Sequence, residues 1–199
     1  MSDTRKKEII MATLELAASK GLGNVSMNMI ADKVGIKKPS LYNHFSSKDE
    51  LVEEMYQFLR EEAKNNAHIG PIDYTSLFKG ETALDILRFT VDGYFNMNQQ
   101  EHMLNFYKVI YSERSLSSMA AKIVVEETEK MINATKQLFY AMEVHQLLHF
   151  NDPDMSALSF ALTIHGLMDY ALDQINAGNE VNNKLDDYLK WFCKENAVR

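Results

Sequence analysis

The chain has 199 residues, with 21 Lys/Arg against 28 Asp/Glu for a formal charge of −7, and only eight glycines, three prolines and one cysteine. That length allows one large or two small domains with a real core, and the scarcity of Pro, Gly and β-branched alternation makes the class all-α. The lone Cys193 excludes an intrachain disulfide and a cysteine-built metal cluster, and the acidic total argues at first against nucleic acid, until its distribution is read.

The first predicted helix covers 4–20. Ile9, Ala12, Leu16 and Ala17 make its inward stripe, with Ile10 and Thr13 alongside, and Gly21 and Gly23 end it. Arg5, Lys6 and Lys7 crowd its start, where the helix dipole disfavours cations. They face either a phosphate backbone or open solvent. Ser26 to Phe45, SMNMIADKVGIKKPSLYNHF, then reads as two short helices around a tight turn. Ser26 is a good N-cap. Met27, Ile30, Ala31 and Val34 share one face, and Gly35 can take the left-handed conformation that ends a helix. Pro39 suits the first turn of the second helix, which runs to about Phe45 with Leu41 and Phe45 inward. Ile30, Val34, Ile36 and Leu41 fall where a helix-turn-helix needs apolar packing. The outward positions Lys37, Lys38, Ser40, Tyr42, Asn43 and His44 include no acid, and most donate hydrogen bonds. Such a set serves a major groove, with cations for phosphate and amide and imidazole groups for base edges. A solvated hairpin with a chance basic face is the alternative.

A fourth helix begins at a capping box formed by Ser47 and Glu50. Its first amides, with Lys48, can hold a phosphate. It continues through Leu51, Met55, Phe58 and Leu59 to about residue 65. Residues 66–79, with Gly70 and Pro71, lack a period and mark the best domain boundary. Further helices are expected at 81–98, 101–111, 119–150, 153–176 and 181–196, about nine in all, with Asp152 as N-cap and Pro153 as first residue of the eighth. Residues 1–50 hold eight Lys/Arg and six Asp/Glu, whereas 51–199 hold thirteen and twenty-two. A mildly basic head would turn towards DNA while the acidic body is repelled. The expected domains are therefore 1–50, a helix-turn-helix head, and 51–199, an effector-binding and dimerisation body. The fourth helix, about 48–65, links them.

Thr4 to Tyr56 resembles the DNA-binding domain of the tetracycline-repressor (TetR/AcrR) family. The resemblance is carried by KKEIIMATLELAASKGLGNVSM, IADKVGIKKPSLYNHF and SSKDELVEEMY. Within them stands Gly35-Ile36-x-x-x-Ser40-Leu41-Tyr42-x-His44-Phe45, followed by Lys48, Glu50 and Leu51. It covers about a quarter of the chain; the remainder is similar only in being helical and of suitable length. The resemblance implies a homodimeric repressor that sets one helix-turn-helix in each major groove of a near-palindromic operator and is released by an effector. It implies Ser26 and Lys48 on the DNA backbone, and Asn28, Lys38, Ser40, Asn43 and His44 near bases. Tyr42 would meet sugar-phosphate or a thymine methyl, with Lys37 and Pro39 in the same interface. It also implies that the last two helices pair with those of a second copy.

Phe160, Ile164, Leu167 and Met168 on the eighth helix, with Tyr188, Leu189 and Phe192 on the ninth, fit such a dimer interface, Gly166 allowing close approach. The same stripes could instead fill their own core. Tyr94, Phe95, Met103, Phe106, Tyr107, Tyr111 and Met131 could line a pocket for a lipophilic or aromatic effector, or be core themselves. His102 is a polar residue among them that needs a partner if buried, and His165 and Asp169, four apart, could satisfy each other or orient a ligand. His145 and His149, with Asp152 behind, have a spacing compatible with a metal, but no third ligand is evident. No metal and no cofactor is expected. The sequence holds no H-E-x-x-H, P-loop or G-x-S-x-G, so no enzyme is expected either. Two other readings stay open: a similar DNA-binding protein without a small-molecule effector, and a helical-bundle carrier or enzyme with a vestigial helix-turn-helix. The start MSDTRKKEII has no signal core, and 155–168 is too short and polar to span a bilayer, so the expected location is the cytoplasm, away from membranes.

Overall fold

Local capping chemistry sets most of the element boundaries. The computed structural model describes residues 2–66, 78–97, 101–181 and 183–198. Among these are nine α-helices and no strand: α1 (Ser2–Lys20), α2 (Met27–Val34), α3 (Lys38–Tyr42), α4 (Lys48–Asn66), α5 (Ala83–Met97), α6 (Glu101–Glu113), α7 (Ser118–Val144), α8 (Pro153–Asn176) and α9 (Lys184–Glu195), with a 3-10 turn at Leu22–Asn24. Ser26 caps α2, its hydroxyl oxygen accepting from the Met29 amide at 3.3 Å. Gly35 closes α2 at φ 73, and the Ile36 amide returns to the Ala31 carbonyl at 2.9 Å. The Asp152 carboxylate caps α8 through the Met155 amide at 3.0 Å, with Pro153 as its first residue. The expected boundary at 66–79 falls almost wholly outside the described residues.

Three local expectations are corrected. α3 stops at Tyr42, so Asn43 and His44 form a turn before Phe45 enters the core. The long helix expected over 119–150 ends at Val144. Gln146 takes φ 56, and the Leu147 amide returns to Met142 at 2.9 Å, a left-handed stop without the glycine that usually signals one. Leu148 and Phe150 then turn inward. The capping box is also displaced by one residue. Ser47 does accept the Glu50 amide at 3.1 Å, but the Glu50 carboxylate takes the amide and hydroxyl of Ser46.

The chain forms two compact units, one of residues 1–68 and 96–124, the other of 69–95 and 125–199. In the first, Ile9, Leu14, Ile30, Leu41, Phe45, Leu51, Met55 and Leu59 are wholly buried. Each such side chain contributes roughly 1.5–3 kcal/mol of burial energy. Met103, Phe106, Val109 and Ile110 of α6 and Ala120 and Ile123 of α7 belong to the same core. This unit therefore takes in more than residues 1–50. Leu14, outside the expected stripe of α1, is fully buried, because α1 packs against both α2 and α4 and is enclosed on more than one side. In the second unit the Phe139 ring lies 4.5 Å from Phe150, 5.2 Å from Phe160 and 5.4 Å from Phe192. Such pairs add to the burial of the rings themselves. An Arg88–Asp186 ion pair, 2.6 Å, joins α5 to α9 within it.

Candidate nucleic-acid interface

Burying Met27, Ile30 and Ala31 of α2 and Leu41 of α3 fixes which face of the helix-turn-helix is left outside. Ser26, Asn28, Lys37, Lys38, Pro39, Ser40, Tyr42 and Asn43 are all exposed, and His44 is half-buried. The residues expected to meet DNA therefore share one short stretch of surface, with their aliphatic neighbours beneath. Lys38 Nζ lies 5.9 Å from the Tyr42 ring centroid, so a cation and an aromatic ring are grouped on consecutive turns of α3. The arrangement offers ammonium groups to phosphate and two amide side chains, Asn28 and Asn43, to base edges.

The cations at the start of α1 each have a carboxylate partner within the chain. Arg5 pairs with Glu8 at 2.6 Å. Lys6 Nζ donates to both carboxylate oxygens of Glu54, at 3.0 and 2.9 Å, and sits 5.1 Å over the Phe45 ring. Lys7 lies 3.8 Å from Glu62 and 5.2 Å over the Phe58 ring. These part-exposed pairs contribute little stability individually, but the two lysine pairs tie α1 to α4.

In the free chain Lys48 Nζ donates to the Leu22 carbonyl at 2.6 Å. The hydroxyl and amide of Ser46 beside it hold the Glu50 carboxyl below the usual carboxylate range. Deeper in this unit, the Tyr56 hydroxyl, Glu62 Oε2 and His102 Nε2 are buried without a hydrogen-bond partner. Glu62 Oε2 and His102 Nε2 stand 3.5 Å apart. Burial first, and the Glu113 charge second, push the Tyr56 phenol up to about 12.

Of the expected effector residues, Met103 and Phe106 are spent in the core of the first unit. Tyr107 and Tyr111 stack at 4.1 Å, with the Arg114 guanidinium 4.4 Å over Tyr111. The side chains of Tyr94 and Phe95 lie outside the described residues. In the second unit Met131 is half-buried, and His165 Nδ1 stands 3.6 Å from Asp169 Oδ2. His149 lies 3.4 Å from Glu143, and the His145 ring meets Phe78 edge-on at 5.1 Å. No group of three metal-ligating side chains occurs among the described residues.

The residues of the expected dimer stripe differ in exposure within the single chain. Phe160, Ile164, Leu189 and Phe192 are buried in the core of their own unit, because the ring cluster around Phe139 takes them. Met168 and Tyr188 pack partly against that core, and Leu167 is half-buried. The large apolar and aromatic side chains left outside on α8 are Met155, Leu162, Tyr170 and Ile175, with Ser159 and Gly166 open beside them, and on α9 Trp191, 54% exposed. Met155, Ser159 and Trp191 line an open groove of about 320 Å³ with Tyr188 and Phe192 at its floor. Leu162, Met155 and Trp191 are apolar residues out of phase with the inward stripe, which was the signal available in the sequence.

Residues 9–55 match the family described as bacterial regulatory proteins, tetR family. The chain is 43% identical over 49 residues to the HTH-type transcriptional activator FasR of Mycolicibacterium smegmatis, covering 25% of this chain and 22% of that protein. It is 38% identical over 52 residues to the HTH-type transcriptional repressor KstR2 of the same organism, 26% and 25% of the two chains. The matched stretch thus spans about a quarter of the length of these curated relatives. Across the whole chain the fold is similar to a transcriptional regulator from Saccharomonospora viridis in complex with choline, at TM-score 0.71 and 19% identity, covering all of both chains. It is also similar to a TetR-family regulator from Mesorhizobium loti, at 0.68 and 20%, covering 100% and 99%. A third neighbour is the flavonoid-responsive regulator FrrA, at 0.63 and 21%, covering 99% of each.

Proposed function

We propose that this chain, which belongs to the tetR family of bacterial regulatory proteins, is a homodimeric repressor that leaves a near-palindromic operator when it binds a small effector. The observation that carries the reading is the α2–α3 surface, where Asn28, Lys37, Lys38, Ser40, Tyr42 and Asn43 stand exposed over buried Ile30 and Leu41. Ser26, Pro39 and His44 complete the interface. Residues 1–50 act as the reading head and 51–199 as the effector and dimerisation body. The head carries a small positive excess, so each subunit makes few phosphate contacts, and two subunits are needed for useful affinity.

The dimer forms through α8 and α9, where Met155, Leu162 and Trp191 stand exposed, with Gly166 open beside them. The effector is small and lipophilic or aromatic. A flavonoid-responsive neighbour and one in complex with choline support a small organic ligand as the class. The effector acts by population shift: it prefers the state whose recognition helices are wrongly spaced, and its differential binding sets the loss of DNA affinity, typically about 1–3 kcal/mol of coupling. No helix among the described residues is long and apolar enough to cross a membrane, which suits a protein working on cytoplasmic DNA.

The test is capture of genome fragments by the purified protein, followed by footprinting of the enriched DNA. A protected near-palindrome with half-sites about one helical turn apart is the expected result. Absence of any enriched sequence at low and moderate salt would sink the reading. Relatives of both signs, activator and repressor, are known by name. Reporter transcription from the recovered operator, with and without the chain, therefore checks the sign.

A further inference from the structure

The base a side chain selects is set by the donors and acceptors it can lay against a base edge. Guanine presents two acceptors, O6 and N7, and its usual partner is a guanidinium. This chain has no arginine between Arg5 and Arg60, so none lies in α2, in α3 or in the turn joining them. Arg5 itself is paired with Glu8 at 2.6 Å. The cations on the reading surface are lysines, point charges that serve a phosphate as readily as a base. Lys33 is engaged by Glu15 at 2.7 Å, and Lys38 Nζ lies 5.9 Å from the Tyr42 ring centroid.

Adenine presents one donor, on N6, and one acceptor, N7, and a carboxamide matches both at once. Residues 1–50 hold three carboxamides, Asn24, Asn28 and Asn43. Asn24 is spent, its Nδ2 donating to the Lys20 carbonyl at 2.8 Å. Asn28 and Asn43 are exposed, and neither side chain has a hydrogen bond among the described residues. Both stand on fixed backbone. Asn28 is in the first turn of α2, between buried Met27 and Ile30. Asn43 follows α3 and lies between buried Leu41 and Phe45, its amide donating to the Pro39 carbonyl at 3.2 Å. A short side chain on a fixed mount loses little freedom when it meets a base.

We infer that the operator is read through adenine. Asn28 and Asn43 each take one adenine by its major-groove edge, Oδ1 accepting from N6 and Nδ2 donating to N7, so each half-site carries an A·T pair at two fixed positions. This rests on the DNA-binding reading above and names the bases it uses.

The test starts from duplexes that the purified full chain selects from a random-sequence library. Asn28→Ala and Asn43→Ala alter exposed side chains, so both variants should keep the wild-type melting temperature. Each should bind the selected duplex at least about fivefold more weakly. In a repeated selection each should lose its preference at one A·T position per half-site, a different position for each variant. An adenine analogue with carbon in place of N7 keeps the base pair and removes the acceptor. Placed at the position lost by one variant, it should weaken the wild type about threefold or more and leave that variant unchanged, because the contact is already gone. Wild-type binding that ignores the analogue overturns the inference and leaves the DNA-binding reading standing, as does a variant whose loss is spread evenly over all sequences. A library from which no sequence is enriched removes the DNA-binding reading, and this inference with it.

Discussion

Truncating Tyr42 separates DNA contact from folding. Its neighbour Leu41 is fully buried, whereas Tyr42 itself is 43% exposed and ends a five-residue helix. In the free protein the ring's resolved polar contact is with Lys38, at 5.9 Å near the outer limit for a cation–π pair. That is the low end of a range of about 0.5–1 kcal/mol. Tyr42→Ala should therefore lower the Tm by only about 1–2 °C in a chain of this size. On DNA the ring becomes an aromatic anchor whose removal costs roughly 1–2 kcal/mol per subunit. Two subunits give about 2–4 kcal/mol, or roughly 30- to 1000-fold in affinity. Anisotropy of a labelled operator measures the second quantity and scanning calorimetry the first. A fall in Tm beyond about 5 °C, or an affinity loss below about threefold, would refute the reasoning.

Other substitutions probe the remaining features. Trp191→Glu should give folded monomers in sedimentation, since the side chain is 54% exposed, whereas Phe192→Glu should unfold the second unit by placing a charge among Phe139, Phe150 and Phe160. The reverse pattern would move the interface off this face. Tyr56→Phe should stabilise the protein by about 1 kcal/mol, because it removes a buried hydroxyl that has no partner. Its phenol is pushed from 10.0 to about 12 in the fold. The folded state therefore holds its proton while the unfolded state loses it, and stability intact below about pH 10 declines as pH climbs towards 12, by on the order of 2 kcal/mol. Urea midpoints at pH 9 and pH 11.5 should fall further in the wild type than in the variant; equal declines count against the buried phenol. Gln146→Gly should add about 0.5–1 kcal/mol by relieving a left-handed residue at φ 56, visible as a higher urea midpoint with unchanged slope.

What could be read from the sequence was what neighbouring residues decide among themselves. Ser26, Gly35, Pro39 and the Asp152-Pro153 pair act within three or four positions, and the helix ends they imply are where the chain places them. The exposed set on α2 and α3 followed from burying Ile30 and Leu41. The Lys6–Glu54 and Lys48–Leu22 bonds span 48 and 26 positions, and no spacing rule announces them. The stop of α7 was hidden because Gln146 adopts a glycine-like conformation without being glycine. On α8 two stripes are apolar, and periodicity alone cannot rank them. The choice was made by Phe139, Phe150 and Phe192, distant rings that admit Phe160 and Ile164 and leave Leu162 outside.

The placement of Trp191 has an optical consequence. It is the only tryptophan in the chain, and it stands at the rim of an aromatic cluster, 5.7 Å from Tyr188. Intrinsic emission excited near the red edge therefore comes from one point on the second unit. While that face is wet the emission belongs at long wavelength and is open to quenching by iodide. Covering the face moves it to the blue and shields it, with no label attached. Melting of the reading head alone leaves this signal nearly silent, so tryptophan emission follows one unit while far-ultraviolet dichroism sums the helices of both.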